Sequence, residues 1–264
     1  MHLELVHAGA EGPRKSVSLL FIHGICNAAW VWQRYFLPYF AGLGYDSYAL
    51  SLRGHGASEG REKIRQFGLS DFADDVQRAC GQIGGPIVVI GHSLGGAVVQ
   101  NYIKRGGKAA GVVLFCAAPP HGLLRAAMQM QAQNPALAHE LMIALTRGIR
   151  WANPDVIEKG LFAHAVDPGL RRLVFERMDD VAAEASRQAI GWSPFAPLPW
   201  VMPKLLVMGC EKDWFVPAGD VRLTAIYYGV RSVIVKNGAH AIMLDANWHD
   251  AAGPIADWLA AFSG

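Results

Sequence analysis

Three residues in this sequence have the types and settings that covalent acyl transfer requires. Ser93 lies in Gly91-His92-Ser93-Leu94-Gly95, directly after the apolar run Pro86-Ile87-Val88-Val89-Ile90 and directly before Gly96-Ala97-Val98-Val99-Gln100. A buried strand that turns sharply into a helix, with serine at the apex, lifts the hydroxyl above the sheet edge. Glycines at 91 and 95 let strand and helix approach where a β-carbon would clash. A serine hydroxyl is a weak nucleophile at neutral pH, so it needs a base within hydrogen-bond reach and a carboxylate to orient that base. Further along, Leu205-Leu206-Val207-Met208 leads into a loop carrying Asp213, and Val233-Ile234-Val235 leads into a loop carrying His240. Both loops leave the carboxyl ends of their strands, the rim on which Ser93 also stands. Glu211 falls nearer the strand and Asp220 falls in the next helix, so Asp213 is the expected acid. The oxyanion formed during acyl transfer calls for two N–H donors. Leu94, at the amino end of its helix, supplies one, and the turn His23-Gly24-Ile25-Cys26 supplies the other through Ile25. Cys26, beside that turn, is a candidate substrate contact.

Positioning these residues takes a sheet. Apolar runs of strand length recur at 3–7, 17–22, 45–50, 87–90, 112–116, 205–208 and 232–235, with helix-length stretches such as 29–41, 70–83 and 94–104 between most of them. Continuous rather than alternating apolar strands predict an α/β fold, a mostly parallel sheet with helices on both faces. Ser70, followed by Asp71 and Asp74, is the expected start of the second helix. A last helix is predicted from Asp245 or His249 to Phe262, with Pro254 bending it or setting its start. The rhythm breaks between His121 and about Pro203, where helical stretches rich in Ala, Met, Leu and Arg are punctuated by prolines. This predicts a core of residues 1–120 and 204–264, with 121–203 inserted as a helical cap of four or five short helices over the carboxyl edge of the sheet. Met128 and Trp192 are the cap residues expected to meet substrate.

The 264 residues are 52% hydrophobic and 17% charged, with a net charge of +2. Those values fit one large globular domain and give no concentrated basic field for nucleic acid. The amino terminus has no basic start followed by a long apolar stretch, and no run approaches the roughly 20 apolar residues of a membrane span. A cytoplasmic protein acting on a small molecule is the expectation. Cys26, Cys80, Cys116 and Cys210 are scattered without zinc-type spacing and read as reduced thiols.

Taken together, His23-Gly24, Arg53-Gly54-His55-Gly56 with Ser58, Gly91-His92-Ser93-Leu94-Gly95-Gly96, Asp213 and His240 resemble the α/β-hydrolase superfamily across the whole chain outside the cap. The Arg53–Ser58 loop is similar to that of monoacylglycerol-lipase-like and lysophospholipase-like members. The segment from His23 to Trp32 instead resembles plant methyl esterases and hydroxynitrile lyases. Those lyases usually carry Lys after the catalytic His, where Ala241 stands here, and a serine at 93 departs from the Asp nucleophile of epoxide hydrolases and haloalkane dehalogenases. The resemblance implies the α/β-hydrolase fold and a serine esterase that cleaves carboxylic esters of short to medium acyl chains through an acyl-enzyme. It implies no metal or organic cofactor. Lactones, monoacylglycerols, carbon–carbon bonds and perhydrolysis stay open on the same residues, as does a non-catalytic receptor that retains the triad.

Overall fold

The computed structural model describes residues 1–192 and 194–262, with side chains for 1–191 and 194–260. Seven strands form one sheet: β1 (Leu5–Ala8), β2 (Ser18–Ile22), β3 (Ser47–Leu50), β4 (Ile87–His92), β5 (Gly111–Phe115), β6 (Leu205–Cys210) and β7 (Ser232–Val235). Their order is β1-β3-β2-β4-β5-β6-β7, with β1 antiparallel to β3 and every other pairing parallel. The central strands are apolar throughout because both faces are covered. In β2, Leu19 and Phe21 enter one core with Trp32, Phe36 and Ile255, while Leu20 and Ile22 enter the other with Phe72, Val98 and Val221.

The helices of the first half are α1 (Trp30–Gln33), α2 (Phe36–Gly42), α3 (Leu69–Ile83) and α4 (Leu94–Lys104). The stretch 29–41 reads as one helix but folds as two. Pro38 has no N–H, and its ring would clash with the carbonyl of Arg34, so the chain breaks before Phe36. Ser70 does not start α3. The helix begins at Leu69, with the Asp71 carboxylate accepting from Gly68 N at 2.9 Å and Gln188 Oε1 accepting from Leu69 N at 2.8 Å. A distant side chain thus satisfies an end group that local sequence rules assign to a cap.

Between β5 and β6 run α5 (Leu124–Gln133), α6 (Pro135–Arg147), α7 (Pro154–Leu161), α8 (Pro168–Arg177) and α9 (Ala183–Arg187), with short turns and, among the described residues, no strand. Asn134, Asn153 and Asp167 cap α6, α7 and α8, each followed by proline in the first turn. Specific bonds seat this helical segment on the sheet's carboxyl edge. Asp179 N donates to Cys26 O at 2.9 Å, the Asp179 carboxylate accepts from Gly56 N at 2.7 Å, and Ala241 N donates to Leu161 O at 2.8 Å. Asp245 accepts from Ala163 N at 2.9 Å. After β6 come α10 (Ala218–Tyr228) and α11 (His249–Phe262), and Pro254 lies inside α11 rather than at its start. Among the described residues no helix is long and apolar enough to cross a membrane.

Candidate active site

β4 ends in Ser93, whose φ of 54° and ψ of −121° place a non-glycine residue in a sparsely populated region of backbone space. The strain is held from the neighbouring strand. Ser93 N donates to Phe115 O at 3.1 Å, and Ser93 O accepts from Ala118 N and Gly96 N, each at 3.0 Å. Glycine at 91 is required sterically: a β-carbon there would lie 2.6 Å from Gly95 O.

The His240 ring spans the gap between nucleophile and acid. Its Nε2 lies 3.0 Å from Ser93 Oγ and its Nδ1 lies 2.8 Å from Asp213 Oδ2. Asp213 accepts through its other oxygen from Phe215 N at 2.8 Å and Val216 N at 2.9 Å, which fixes the carboxylate plane. With Asp213 accepting, Nδ1 carries the proton and Nε2 is left to receive one from serine. All three residues are buried. Neither rival acid reaches the ring. Glu211 turns to accept from Asn237 N at 3.0 Å, and Asp220 is taken by Arg125 and His121.

Ile25 and Leu94 both line the cleft beside Ser93. Leu94 occupies the first position of α4, where its N–H has no intrahelical acceptor. The direction of the Ile25 N–H follows from His23. His23 Nδ1 donates to Gly24 O at 2.8 Å, and its Nε2 accepts from Leu52 N at 3.0 Å. In a trans peptide the N–H opposes the C=O, so holding Gly24 O toward His23 turns the Ile25 N–H away from it. Burial, with a further contribution from the neighbouring His55, pushes the His23 pKa well down, which keeps the ring neutral for this split donor and acceptor role. His55 itself lies 4.9 Å from the His23 ring and is also lowered by burial. Sequence reasoning took His23-Gly24 as a turn and missed this orienting bond. It also missed His92, whose Nε2 donates to the His240 carbonyl at 2.9 Å and fixes the backbone that presents the base. Burial lowers the His92 pKa as well, ahead of the effect of His240.

The Arg53–Ser58 loop is a brace. Arg53 forks onto Asp75 at 2.7–3.1 Å, and Ser58 bonds Ser51 O at 2.6 Å and Glu4 N at 2.8 Å. Among the described residues, His92, Cys116 and His240 form the one grouping of metal-ligand atoms, within 4.8 Å of one another. Both His240 nitrogens are already engaged, and burial raises the Cys116 thiol well above its ordinary pKa, so the set suits proton transfer better than a cation.

Two cavities meet at Ser93. The larger, about 210 Å³, is walled mainly by apolar side chains from α5, α6 and the α9 region, including Leu123, Met130, Leu141 and Ile190. The smaller, about 50 Å³, is bounded by Ser93, His240, Cys26, Ile149 and Met178. Cys26 therefore borders the site, with burial pushing its thiol pKa far up. Met128 does not reach it. It points outward, 66% exposed, while Met130, two positions on and 3% exposed, lines the larger cavity. The side chain of Trp192 lies outside the described residues, and its backbone ends an irregular turn over Gln188–Trp192.

The chain belongs to the alpha/beta hydrolase family, whose pattern matches residues 19–253. No curated protein matches the sequence. Among solved structures it is similar to an esterase from Exiguobacterium antarcticum, at 16% identity and a TM-score of 0.72, covering 99% of this chain and 95% of that one. A thermophilic esterase from Thermogutta terrifontis, solved with malate bound, aligns at 21% identity and a TM-score of 0.66, covering 99% and 94%. A bromoperoxidase from Bacillus anthracis aligns at 19% identity and a TM-score of 0.69, covering 98% and 95%. At these identities the likeness speaks to the fold.

Proposed function

We propose that this hydrolase is a serine esterase that cleaves carboxylic esters through a covalent acyl-enzyme. The observation that carries the reading is the hydrogen-bonded line from Ser93 through His240 to Asp213, at 3.0 and 2.8 Å, opening onto an apolar cleft. In this reading Ser93 Oγ attacks the ester carbonyl while His240 Nε2 takes its proton. Asp213 stabilises the imidazolium and fixes its tautomer, and His240 then returns the proton to the departing alcohol. The carbonyl oxygen, negative in the tetrahedral intermediate, sits against the N–H groups of Ile25 and Leu94. Water repeats the sequence to release the acid.

Residues 121–203 serve as a cap over a core made of 1–120 and 204–264, since α5, α6 and α9 supply most walls of the larger cavity. That cavity takes the acyl chain, and its bounded apolar walls favour short to medium lengths. An aliphatic pocket discriminates by about 1–3 kcal/mol per methylene, so the preference is graded. The test is a chain-length panel of p-nitrophenyl esters with wild type and Ser93→Ala. Turnover that peaks at short to medium chains and falls by several orders of magnitude in the folded variant supports the reading. A folded Ser93→Ala protein that keeps a tenth of the activity overturns it.

A further inference from the structure

A third cavity, about 280 Å³, shares Ile149 and Met178 with the small chamber at Ser93 as common walls. Its chemistry differs from that of the other two. Arg61, Arg147 and Arg150 line it together with the exposed Trp151, Asp179 and Asp180. The two carboxylates are already answered. Asp179 is buried and held by Arg61 and Gly56 N, and Asp180 accepts from Arg65 at 3.3 Å and from its neighbour Val181 N at 2.7 Å. Arg147 and Arg150, on either side of the Gly148 turn that ends α6, have no ion-pair partner among the described residues. With Arg61 paired to Asp179 and Arg65, from outside the lining, paired to Asp180, the charges of Arg147 and Arg150 are left uncompensated at this mouth. The cleft at Ser93 that meets α5 and α6 has no charged residue in its walls.

We infer that the Arg147–Arg150 vestibule binds the anionic end of the substrate, and that the enzyme prefers esters bearing a carboxylate several bonds from the scissile carbonyl. The inference rests on the esterase reading for its reaction and on the charge arrangement for its specificity. Guanidinium groups present forked donors matched to a carboxylate, and their long stems let them close on it from either side of the Gly148 turn. Ile149 and Met178, the apolar side chains common to the linings of both cavities, are the surface that the methylene linker would follow.

The test uses matched esters in homologous series. Mono-p-nitrophenyl adipate against p-nitrophenyl hexanoate places the charge on the acyl side, and 5-acetoxypentanoate against pentyl acetate places it on the alcohol side. At its best length one anionic series should exceed its neutral counterpart in kcat/KM by about five- to tenfold, the size two rim-exposed ion pairs supply together. That ratio should fall to near one in Arg147→Gln/Arg150→Gln and in about 0.5 M salt. No advantage for either anionic series, or an advantage that survives the double substitution, overturns the proposal. Calorimetric titration of adipate into both proteins decides independently of turnover. Tighter binding by wild type supports the vestibule and equal binding refutes it, even if neutral esters prove not to be substrates and the esterase reading itself fails.

Discussion

Gly24→Ala isolates the oxyanion turn from the rest of the machinery. A β-carbon at Gly24 would sit 2.9 Å from Ser93 Cβ, 3.0 Å from His92 Nδ1 and 3.4 Å from Ser93 Oγ. Carbon atoms pack best at about 3.5–4.0 Å, so the turn and the serine must part by about half an ångström. Neither side yields easily: Ser93 is pinned by three backbone hydrogen bonds and Gly24 O is held by His23. Half an ångström is about the tolerance within which catalytic geometry has to be kept. Complete removal of one oxyanion donor costs on the order of 10²–10³ in kcat, so a partial displacement of the Ile25 N–H predicts a loss of about 10- to 100-fold. Overpacking should lower stability by about 1–3 kcal/mol. The assay is stopped-flow acylation by p-nitrophenyl butyrate, read beside thermal unfolding. Gly81→Ala serves as the control, because Gly81 lies within α3 with open space around it and alanine there should be neutral or stabilising by about 0.5–1 kcal/mol. A folded Gly24→Ala enzyme that acylates within about twofold of wild type would refute the placement of the donor.

Asp213→Asn should fold and lose on the order of 10⁴ in kcat, the size of loss that the same change causes in a serine protease triad by favouring the wrong imidazole tautomer; a greater loss in Glu211→Gln would reassign the acid. Ile190→Ala, in the cleft wall, should shift the acyl-length profile by about 1–3 kcal/mol for the longest chains accepted, whereas Met128→Ala should leave the profile in place. Stability should fall with acidification before the carboxylates titrate. His23, His55 and His92 have folded pKa values below that of the unfolded chain, so the unfolded state binds more protons; stability is full above about pH 6.5 and declines below it by up to about 1.4 kcal/mol per pH unit per histidine. Urea unfolding that gives the same stability at pH 7 and pH 5 would contradict this.

The strand-end placement of Ser93, Asp213 and His240 was legible because parallel strands deliver their carboxyl ends to one rim, and continuous apolar runs identify such strands. All seven strands, and the lack of any strand among the described residues of 121–203, followed from the same patterning. What stayed hidden depends on contacts between distant segments. Met128 and Met130 carry the same side chain, and only the packing of α5 against α6 decides which one faces the cleft. Ser70 has the chemistry of a cap, yet Gln188, far along the chain, satisfies the helix end. The orienting bonds of His23 and His92 run to backbone carbonyls, which no residue pattern marks. The Arg34–Tyr35 break was legible in principle, because Pro38 stands within the stretch read as one helix.

The central claim is that Ser93 carries the acyl group. Incubation with p-nitrophenyl dimethylcarbamate, whose carbamoyl-enzyme hydrolyses slowly, followed by peptide mass spectrometry, tests it directly. One dimethylcarbamoyl group on the peptide containing Ser93, with stoichiometric p-nitrophenol release and no adduct in Ser93→Ala, is the predicted result. An adduct on Cys26 or another residue, or undiminished release from folded Ser93→Ala, would contradict it.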